Sequence, residues 1–234
     1  MSYSNLTNFN KNFIKKFTHN TRFSVAQKIL KNNAQINISN VLDYGTGDGE
    51  FLKSLDKNFI NLKDISAYEP LVERYDEVSD NTSKYKNISI YRDIQGIDKK
   101  FDAIFCMEVF EHLNKKMSLE ALNNISNLMK SSGILIISVP IETGVGGFLK
   151  NLVRIVIRQT HDGTNFRNLF KLLFGFKIYR ESDVDFISSH IGFSHKDLVN
   201  LVQKVGFNIV KKTYSPFPFF GTPLNSQIFL VLKK

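Results

Sequence analysis

A ten-residue stretch, residues 41–50 with the sequence VLDYGTGDGE, carries acids together with three glycines at alternate positions. Glycines let a backbone turn sharply and approach a ligand that a side chain would keep away. The carboxylates of Asp43 and Asp48 would repel a pyrophosphate but attract a positively charged ligand. The spacing also differs from the dinucleotide pattern GxGxxG, and no Lys-Ser or Lys-Thr pair follows as a P-loop requires. The stretch therefore predicts either a tight turn or a site for a cationic cofactor.

Two further acids follow apolar segments farther along the chain. Glu69 ends the segment DISAYE and stands 26 residues after Asp43. An acid at the end of the second strand of a βαβ unit is placed to accept hydrogen bonds from both hydroxyls of a ribose. Asp93 follows the segment ISIYR, where it is placed to accept from an exocyclic amine, and Ile94 is placed to lie on a purine ring. These acids therefore predict a ligand that contains a nucleoside.

Alternating strand and helix patterns supply the elements that would position these acids. Apolar segments bounded by turn residues predict strands, and the amphipathic segment from about 119 to 129 predicts a helix that Gly133 would cap. The predicted strands cover residues 41–43, 64–69, 88–91, 101–106 and 134–139. Such alternation predicts an open, parallel α/β sheet, in which ligands bind at the carboxyl ends of the strands. Each acid singled out above lies at such an end, apart from the one inside the turn.

The N-terminal segment predicts a helical appendage. Residues 9–31 place apolar side chains at helical spacing and predict one amphipathic helix, or two short ones broken near His19. This helix would either pack on the sheet or belong to a lid over residues 1–35. In a lid, His19, Arg22 or Phe23 would face the ligand.

The C-terminal segment returns to the strand and helix pattern. Ser194 is expected to open a helix that Gly206 closes. Strands are predicted at residues 207–214 and 227–232, joined by a Pro- and Phe-rich turn at 215–225. This hairpin-like pair would give the sheet an antiparallel edge.

Residues 141–190 interrupt the alternation. Fifty residues are too many for a connection between two strands, so the segment is expected to be an inserted subdomain or lid. Such an insertion is the natural place for substrate recognition. We therefore predict a single domain over residues 1–234, with a lid at each of these two places.

Basic residues are concentrated in two segments of a chain whose net charge is +9. Residues 1–42 contain six Lys/Arg and no acid, and residues 144–180 contain seven Lys/Arg and one Asp. This distribution predicts an anionic partner, or else reflects a Lys- and Asn-rich composition bias. The single cysteine, Cys106, excludes an internal disulfide and indicates a reducing compartment. The sequence has neither a signal-peptide pattern nor an apolar run of about 18 residues, so a cytoplasmic location is expected.

Taken in order, the motifs of the chain resemble those of the class I S-adenosylmethionine-dependent methyltransferases. The motifs are VLDYGTGDGE, AYEP, YRDI, FDAIFCMEVFEHL, GILIISVP and HIGFSHKDLVNLVQKVGF, and they span nearly the whole chain. The resemblance implies a Rossmann-like α/β fold, with a seven-stranded, mostly parallel sheet, an antiparallel edge and a helical insertion after strand five. It also implies S-adenosyl-L-methionine as the cofactor. The cofactor-binding residues implied are Asp43, Gly45, Thr46, Gly47, Gly49, Glu69, Pro70, Asp93, Ile94, Met107 and Glu108.

Catalytic and substrate-binding roles are implied for a few other side chains. Arg22 stands where related enzymes often place a basic residue near the cofactor carboxylate or the substrate, and His195 is a second predicted substrate-binding residue. If the acceptor is a hydroxyl, the reaction requires a general base. The nearest candidates are Glu111 and His112, with His190 from the later segment. Alternatively, His112 only hydrogen-bonds the start of the helix that follows.

A divalent metal is an alternative for the same group of residues. Glu108, Glu111 and His112 form a Glu-x-x-Glu-His pattern that resembles a metal-binding motif of small-RNA terminal methyltransferases and some quinone-precursor O-methyltransferases. His190 would add a further ligand. The His-rich second motif of the RNA enzymes is absent from the sequence, so no metal is predicted.

The predicted acceptor is a small anionic molecule, such as a sugar nucleotide, a phosphorylated metabolite or a surface-polysaccharide precursor. The opening of the insertion, GVGGFLKNLVRIVIR, resembles family members that accompany such modifications, and its positive charge suits a phosphate. The alternatives are a quinone- or lipid-type O-methyltransferase that docks on a membrane surface through residues 148–176, and an RNA methyltransferase. The sequence has no NPPY or DPPY loop and no appended RNA-binding module, so nucleic acid is disfavoured. A non-catalytic cofactor-binding protein is disfavoured by the intact acids and glycines.

Overall fold

One seven-stranded sheet forms the centre of the described part of the chain. The computed structural model describes residues 20–33, 37–142, 187, 192–222 and 224–234. The strands are β1 (Asn40–Tyr44), β2 (Asp64–Tyr68), β3 (Ile88–Tyr91), β4 (Phe101–Met107), β5 (Met129–Pro140), β6 (Asn208–Ser215) and β7 (Gln227–Lys233). The helices are α1 (20–32), α2 (Glu50–Asn58), α3 (Val72–Thr82), α4 (Lys115–Leu128) and α5 (His195–Lys204), with short 3-10 helices at Ile94–Gly96 and Phe110–His112.

The strand order is β3-β2-β1-β4-β5-β7-β6. Strands β1 to β5 are parallel, and β7 runs antiparallel to both β5 and β6. The predicted Rossmann-like sheet with an antiparallel pair at one side is therefore confirmed. The chain builds outward in both directions from the neighbours β1 and β4, and ligands bind outside the carboxyl ends of strands at such a switch point. We call the edge at which β1 to β5 end the carboxyl edge.

Two hydrophobic cores, one on each face of the sheet, hold this edge in place. Every residue of β4 is buried because helices cover both faces. Ile104 and Cys106 of β4 belong to the core beneath α4 and α5, whereas Phe105 belongs to the core beneath α1 and α2. The alternation follows from the two-residue period of a strand. The ends of β1 and β4 are thereby anchored on both sides.

The helices confirm one predicted terminus and correct another. Ser194 caps α5 as predicted, because its hydroxyl accepts a hydrogen bond from the Asp197 amide at 3.2 Å. The prediction that Gly133 caps the preceding helix is wrong, since Gly133 lies inside β5. There the strand bulges against β4, and a Cβ on Gly133 would stand 3.0 Å from the Phe101 carbonyl oxygen. Helix α4 also begins earlier than expected, because the Asn114 side chain caps it.

Several predictions fall on residues that the structure does not describe. These are the N-terminal segment before residue 20, and residues 143–186 and 188–190 of the insertion predicted at 141–190, which include the predicted catalytic His190. The two predicted lids therefore remain predictions. Among the described residues, no helix combines the length and the apolar composition that crossing a membrane requires.

Candidate active site

The glycine loop after β1 packs closely against the segment that follows β4. Gly45 and Gly47 adopt φ angles of 82° and 64°, which L side chains rarely tolerate. A Cβ on Gly45 would stand 2.5 Å from Val109 Cγ2, so the loop can approach this segment only with glycine there. At Gly47 a Cβ would meet only the Arg74 guanidinium within 4 Å, at 3.4 Å. The loop backbone therefore packs against Val109 at Gly45, while at Gly47 it has space beside it that a ligand could occupy.

Glu69 joins this loop to the end of β2. Its buried carboxylate accepts hydrogen bonds from the backbone amides of Gly47 at 3.0 Å and Leu71 at 3.2 Å. The Gly45 amide donates to the Tyr68 carbonyl at 2.8 Å. The loop after β1 is thus fixed in position by β2, and the carboxylate predicted to meet a ribose lies at the boundary between them.

Asp43 is a buried acid beneath the same loop. Its pKa is raised to about 7, chiefly by burial and also by the charges of Glu69 and Asp48, while the Thr46 hydroxyl lowers it in part. A cation bound beside this carboxyl would favour its ionised form. The loop therefore contains a group whose charge responds, near neutral pH, to the charge of what binds there.

A cluster of charged side chains lies at the C-terminal end of β4. Arg22 of α1 lies with its Nη2 3.4 Å from Glu108 Oε2, and both side chains are mostly buried. Glu108 has a φ of 56°, unusual for a residue other than glycine, and its amide donates to the Ser138 carbonyl at 2.9 Å. Helix α1 is therefore linked by charge to the residue that follows β4, as a role for Arg22 near the ligand requires.

Glu111 is the most deeply buried acid of this cluster. Its side chain is fully buried next to Glu108. Burial raises the pKa of Glu111 well above the ordinary value, as does the adjacent charge of Glu108, while the Arg22 guanidinium lowers it. A raised pKa favours the protonated form of a carboxyl, and that form cannot accept a proton from a substrate.

His112 contacts the residue that precedes the end of the insertion. Its Nδ1 lies 2.8 Å from the Ile187 carbonyl oxygen, and the Ile187 amide donates to the His112 carbonyl at 2.8 Å. Because a carbonyl only accepts, Nδ1 carries the hydrogen, and Nε2 is the unprotonated ring nitrogen when the ring is neutral. The side chain thus bonds the chain near the end of the insertion.

Comparison with known proteins assigns the family. A family model described as a methyltransferase domain matches residues 17–212. The chain belongs to this methyltransferase family. The predicted resemblance to class I methyltransferases and the prediction of an enzyme are confirmed by this match. No curated protein matches the methyltransferase in sequence.

Solved structures agree on the fold at low sequence identity. The methyltransferase domain of bacterial CtHen1-CN is 15% identical to this chain. The match covers 92% of this chain and 99% of that domain, with a TM-score of 0.59. The magnesium protoporphyrin IX methyltransferase ChlM from Synechocystis PCC 6803, solved with bound SAH, is 14% identical to this chain. The match covers 92% of this chain and 83% of ChlM, with a TM-score of 0.58. An S-adenosylmethionine-dependent methyltransferase from Clostridium acetobutylicum ATCC 824 is 14% identical. That match covers 99% of this chain and 98% of the Clostridium protein, with a TM-score of 0.57. At these identities the likeness establishes the fold of the methyltransferase, while its acceptor is a separate question.

The remaining predicted cofactor residues lie along the same carboxyl edge of the methyltransferase. Asp93 follows β3, where its Oδ1 accepts from the Gln95 amide at 2.9 Å. Ile94 is half-buried against the core, Met107 is buried at the end of β4, and Pro70 is exposed beyond β2. The sheet thus brings the ends of four strands together around the glycine loop.

His195 lies apart from these groups. It is buried at the start of α5, where desolvation lowers its pKa, as do the charges of Lys196 and of Lys212 on β6. Strand β6 is the outermost strand on the far side of the sheet from β2 and β3. The predicted substrate-binding role of His195 therefore gains no support from its position. Within the described ranges, the methyltransferase has no group of three or more His, Cys, Asp or Glu residues arranged to hold a metal.

Val109 is a site residue that sequence reasoning missed. It supports the glycine loop through its contact with Gly45 and lies between Glu108 and the 3-10 helix. An apolar side chain directly after the acid at the end of β4 was the available signal. Its partner could be identified only once β4 was known to lie beside β1.

Proposed function

We propose that this methyltransferase binds S-adenosylmethionine across the carboxyl ends of β1, β2 and β4 and transfers the methyl group to a small anionic acceptor. The cofactor prediction is confirmed by the family and by relatives with bound SAH. The observation that carries the proposed site is the pair of buried acids, Asp43 and Glu69, that flank a glycine loop at the switch point of the sheet. Cytoplasmic action is part of the proposal.

The residues at this edge fit the cofactor. The open face of Gly47 leaves backbone room for a ligand, and Asp43 would be held in its ionised form by a positive group above the loop. Glu69 is held by two backbone amides, with its carboxylate at the end of β2 where a ribose is expected. We assign the methionine half to the glycine loop, the ribose to Glu69, and the adenine to Asp93 and Ile94.

Alignment and proton acceptance are the tasks left to the chain. When bound, S-adenosylmethionine supplies a methyl group on a positively charged sulfur for in-line displacement. The ion pair of Arg22 with Glu108, next to the buried Glu111, would hold the region beyond β4 rigid. His112 offers Nε2 as the general base for a hydroxyl acceptor, since its Nδ1 donates to Ile187. Glu111 would act through Glu108 as a positioning residue.

Charge supports the anionic acceptor. Residues 144–180 contain seven Lys/Arg and one Asp, and they follow β5 in the sequence, which ends at Pro140 at the carboxyl edge. Arginine and lysine bind phosphate through charge-assisted hydrogen bonds. A sugar nucleotide, a phosphorylated metabolite or a polysaccharide precursor would supply such a group.

The test is a transfer assay with radiolabelled S-adenosylmethionine and four acceptor pools: nucleotide sugars, phosphorylated small molecules, quinol precursors and tRNA. We expect label in one of the first two pools. Label only in quinols or only in tRNA would overturn the anionic small-molecule acceptor while leaving the cofactor site intact. Calorimetry with S-adenosylhomocysteine separates the two parts, because failure to bind it would overturn the proposed cofactor site itself.

A further inference from the structure

The loop between β6 and β7 exposes a group of large apolar side chains. Phe219 is 97% exposed, and Phe217, Phe220 and Leu224 are each more than half exposed. We call these four residues the aromatic tip. Singly exposed apolar side chains are ordinary, but several together on one loop mark a surface that contacts a partner.

The aromatic tip is held rigidly in its exposed position. The buried Asn225 side chain accepts from the Phe217 amide at 2.6 Å and donates to the carbonyls of Phe217 at 2.7 Å and Gly221 at 2.6 Å. The rings of Phe217 and Phe220 also pack edge-to-face, with centroids 6.4 Å apart. One buried amide thus fixes both sides of the loop, so the structure holds these rings outward and does not fold them onto its core.

The aromatic tip lies at the same edge of the sheet as the proposed active site. Strand β6 is antiparallel to β7, which is antiparallel to β5, so β6 ends at the carboxyl edge. Directly beside the loop, the Ile141 amide donates to the Ser226 carbonyl at 2.9 Å. Ile141 is the residue after β5. A surface that engages the aromatic tip therefore comes close to the edge at which the cofactor is expected.

The charges around the aromatic tip indicate the kind of surface. The sequence has no charged residue between Lys212 and Lys233, and Lys211 and Lys212 are exposed on the strand that leads into the loop. Aromatic side chains whose nearest charged neighbours along the chain are lysines fit the interface of an anionic bilayer, where rings enter the headgroup region and ammonium groups meet lipid phosphates. A second copy of the chain would bring the same positive charges against them.

We propose that the aromatic tip docks this methyltransferase on anionic membrane surfaces, with its carboxyl edge turned toward the bilayer. The proposal goes beyond the proposed function, because membrane binding is measured without any methyl transfer. It also differs from the sequence-based alternative of docking through residues 148–176, since it assigns the contact to the hairpin after α5.

The test is vesicle flotation of the full chain with two lipid compositions: phosphatidylcholine alone, and phosphatidylcholine mixed with phosphatidylglycerol. We expect binding to the anionic vesicles that weakens as salt is added. The affinity of the Phe219→Ser variant for these vesicles should be at least roughly tenfold lower, because one ring no longer enters the interface. The matched control is Ile60→Ser: Ile60 is 92% exposed between α2 and β2, at the opposite edge of the sheet.

Each alternative outcome overturns the proposal. Wild-type protein that stays with neither vesicle type has no such surface, and equal loss in Phe219→Ser and Ile60→Ser would mean that the contact is not located at the aromatic tip. Self-association in sedimentation velocity that Phe219→Ser abolishes, without flotation of the wild type, would assign the loop to a second copy. Calorimetric binding of S-adenosylhomocysteine by each variant verifies that the fold is intact.

Discussion

Replacing Asp43 by Asn should stabilise the protein and weaken its cofactor binding at the same time. In the folded state, burial raises the pKa of Asp43 from 3.8 to about 7. Between these values the unfolded chain has released a proton that the folded chain still holds. The free energy of unfolding therefore falls as pH rises from about 4 to about 7 and levels off above. Asparagine has nearly the same shape and no proton to lose.

The size of the effect follows from the two pKa values. At about 1.4 kcal/mol for each pH unit, the buried carboxyl costs about 1.5 kcal/mol near pH 5 and about 4 kcal/mol near pH 8. Asp43→Asn should be more stable than the wild type by amounts of this order, and the difference should widen by about 2.5 kcal/mol between the two pH values. Other titrating groups contribute equally to both proteins, so the comparison isolates Asp43.

Urea unfolding at both pH values measures these differences. Glu73→Gln is the control, because Glu73 is an exposed acid outside the glycine loop, at the start of α3. In a parallel calorimetric titration, the affinity of the wild type for S-adenosylmethionine should rise between about pH 6 and about pH 8, while Asp43→Asn should bind weakly at both. If the pH dependence of stability is the same in the wild type and Asp43→Asn, the buried carboxyl does not titrate as argued. Undiminished binding by a stabilised variant would remove Asp43 from the cofactor site.

Three other changes test the rest of the site. Glu69→Gln should weaken S-adenosylhomocysteine binding in calorimetry by roughly tenfold or more, because a charged hydrogen-bond acceptor is lost. The control Glu73→Gln, at an exposed position, should have no effect. Equal affinities of the two variants would contradict the ribose assignment. Gly45→Ala should lower the free energy of unfolding, measured in urea, by about 2 kcal/mol or more, because the φ angle of Gly45 is 82°. Gly96→Ala should not lower it, because the nearest atom lies 3.8 Å from the added Cβ. His112→Asn and His112→Ala should both reduce turnover by about a hundredfold or more while S-adenosylhomocysteine still binds. High activity in His112→Asn, whose amide can also donate to a carbonyl, would make the histidine a positioning residue.

Much of the fold was predictable because it depends on local patterns. The residues of β4 are apolar throughout because both faces of a central parallel strand are covered, and the acids at Asp43, Glu69 and Asp93 mark where strands leave the core. Ser194 was predictable as a helix cap because its partner, Asp197, stands three residues away. Gly133 was misassigned because a glycine after a helical pattern favours a cap, while the close approach of the Phe101 carbonyl depends on a neighbouring strand.

The sequence by itself therefore determined the order of elements, the acids at the strand ends and the class of cofactor. Only the tertiary structure decided which of these groups meet. It placed Arg22 against Glu108, far apart along the chain, and buried Glu111, which raises the pKa of that carboxyl. It also set Val109 beneath Gly45. The physical reason is that charge, protonation and close contact depend on distance and burial, and these followed from the placement of β4 beside β1.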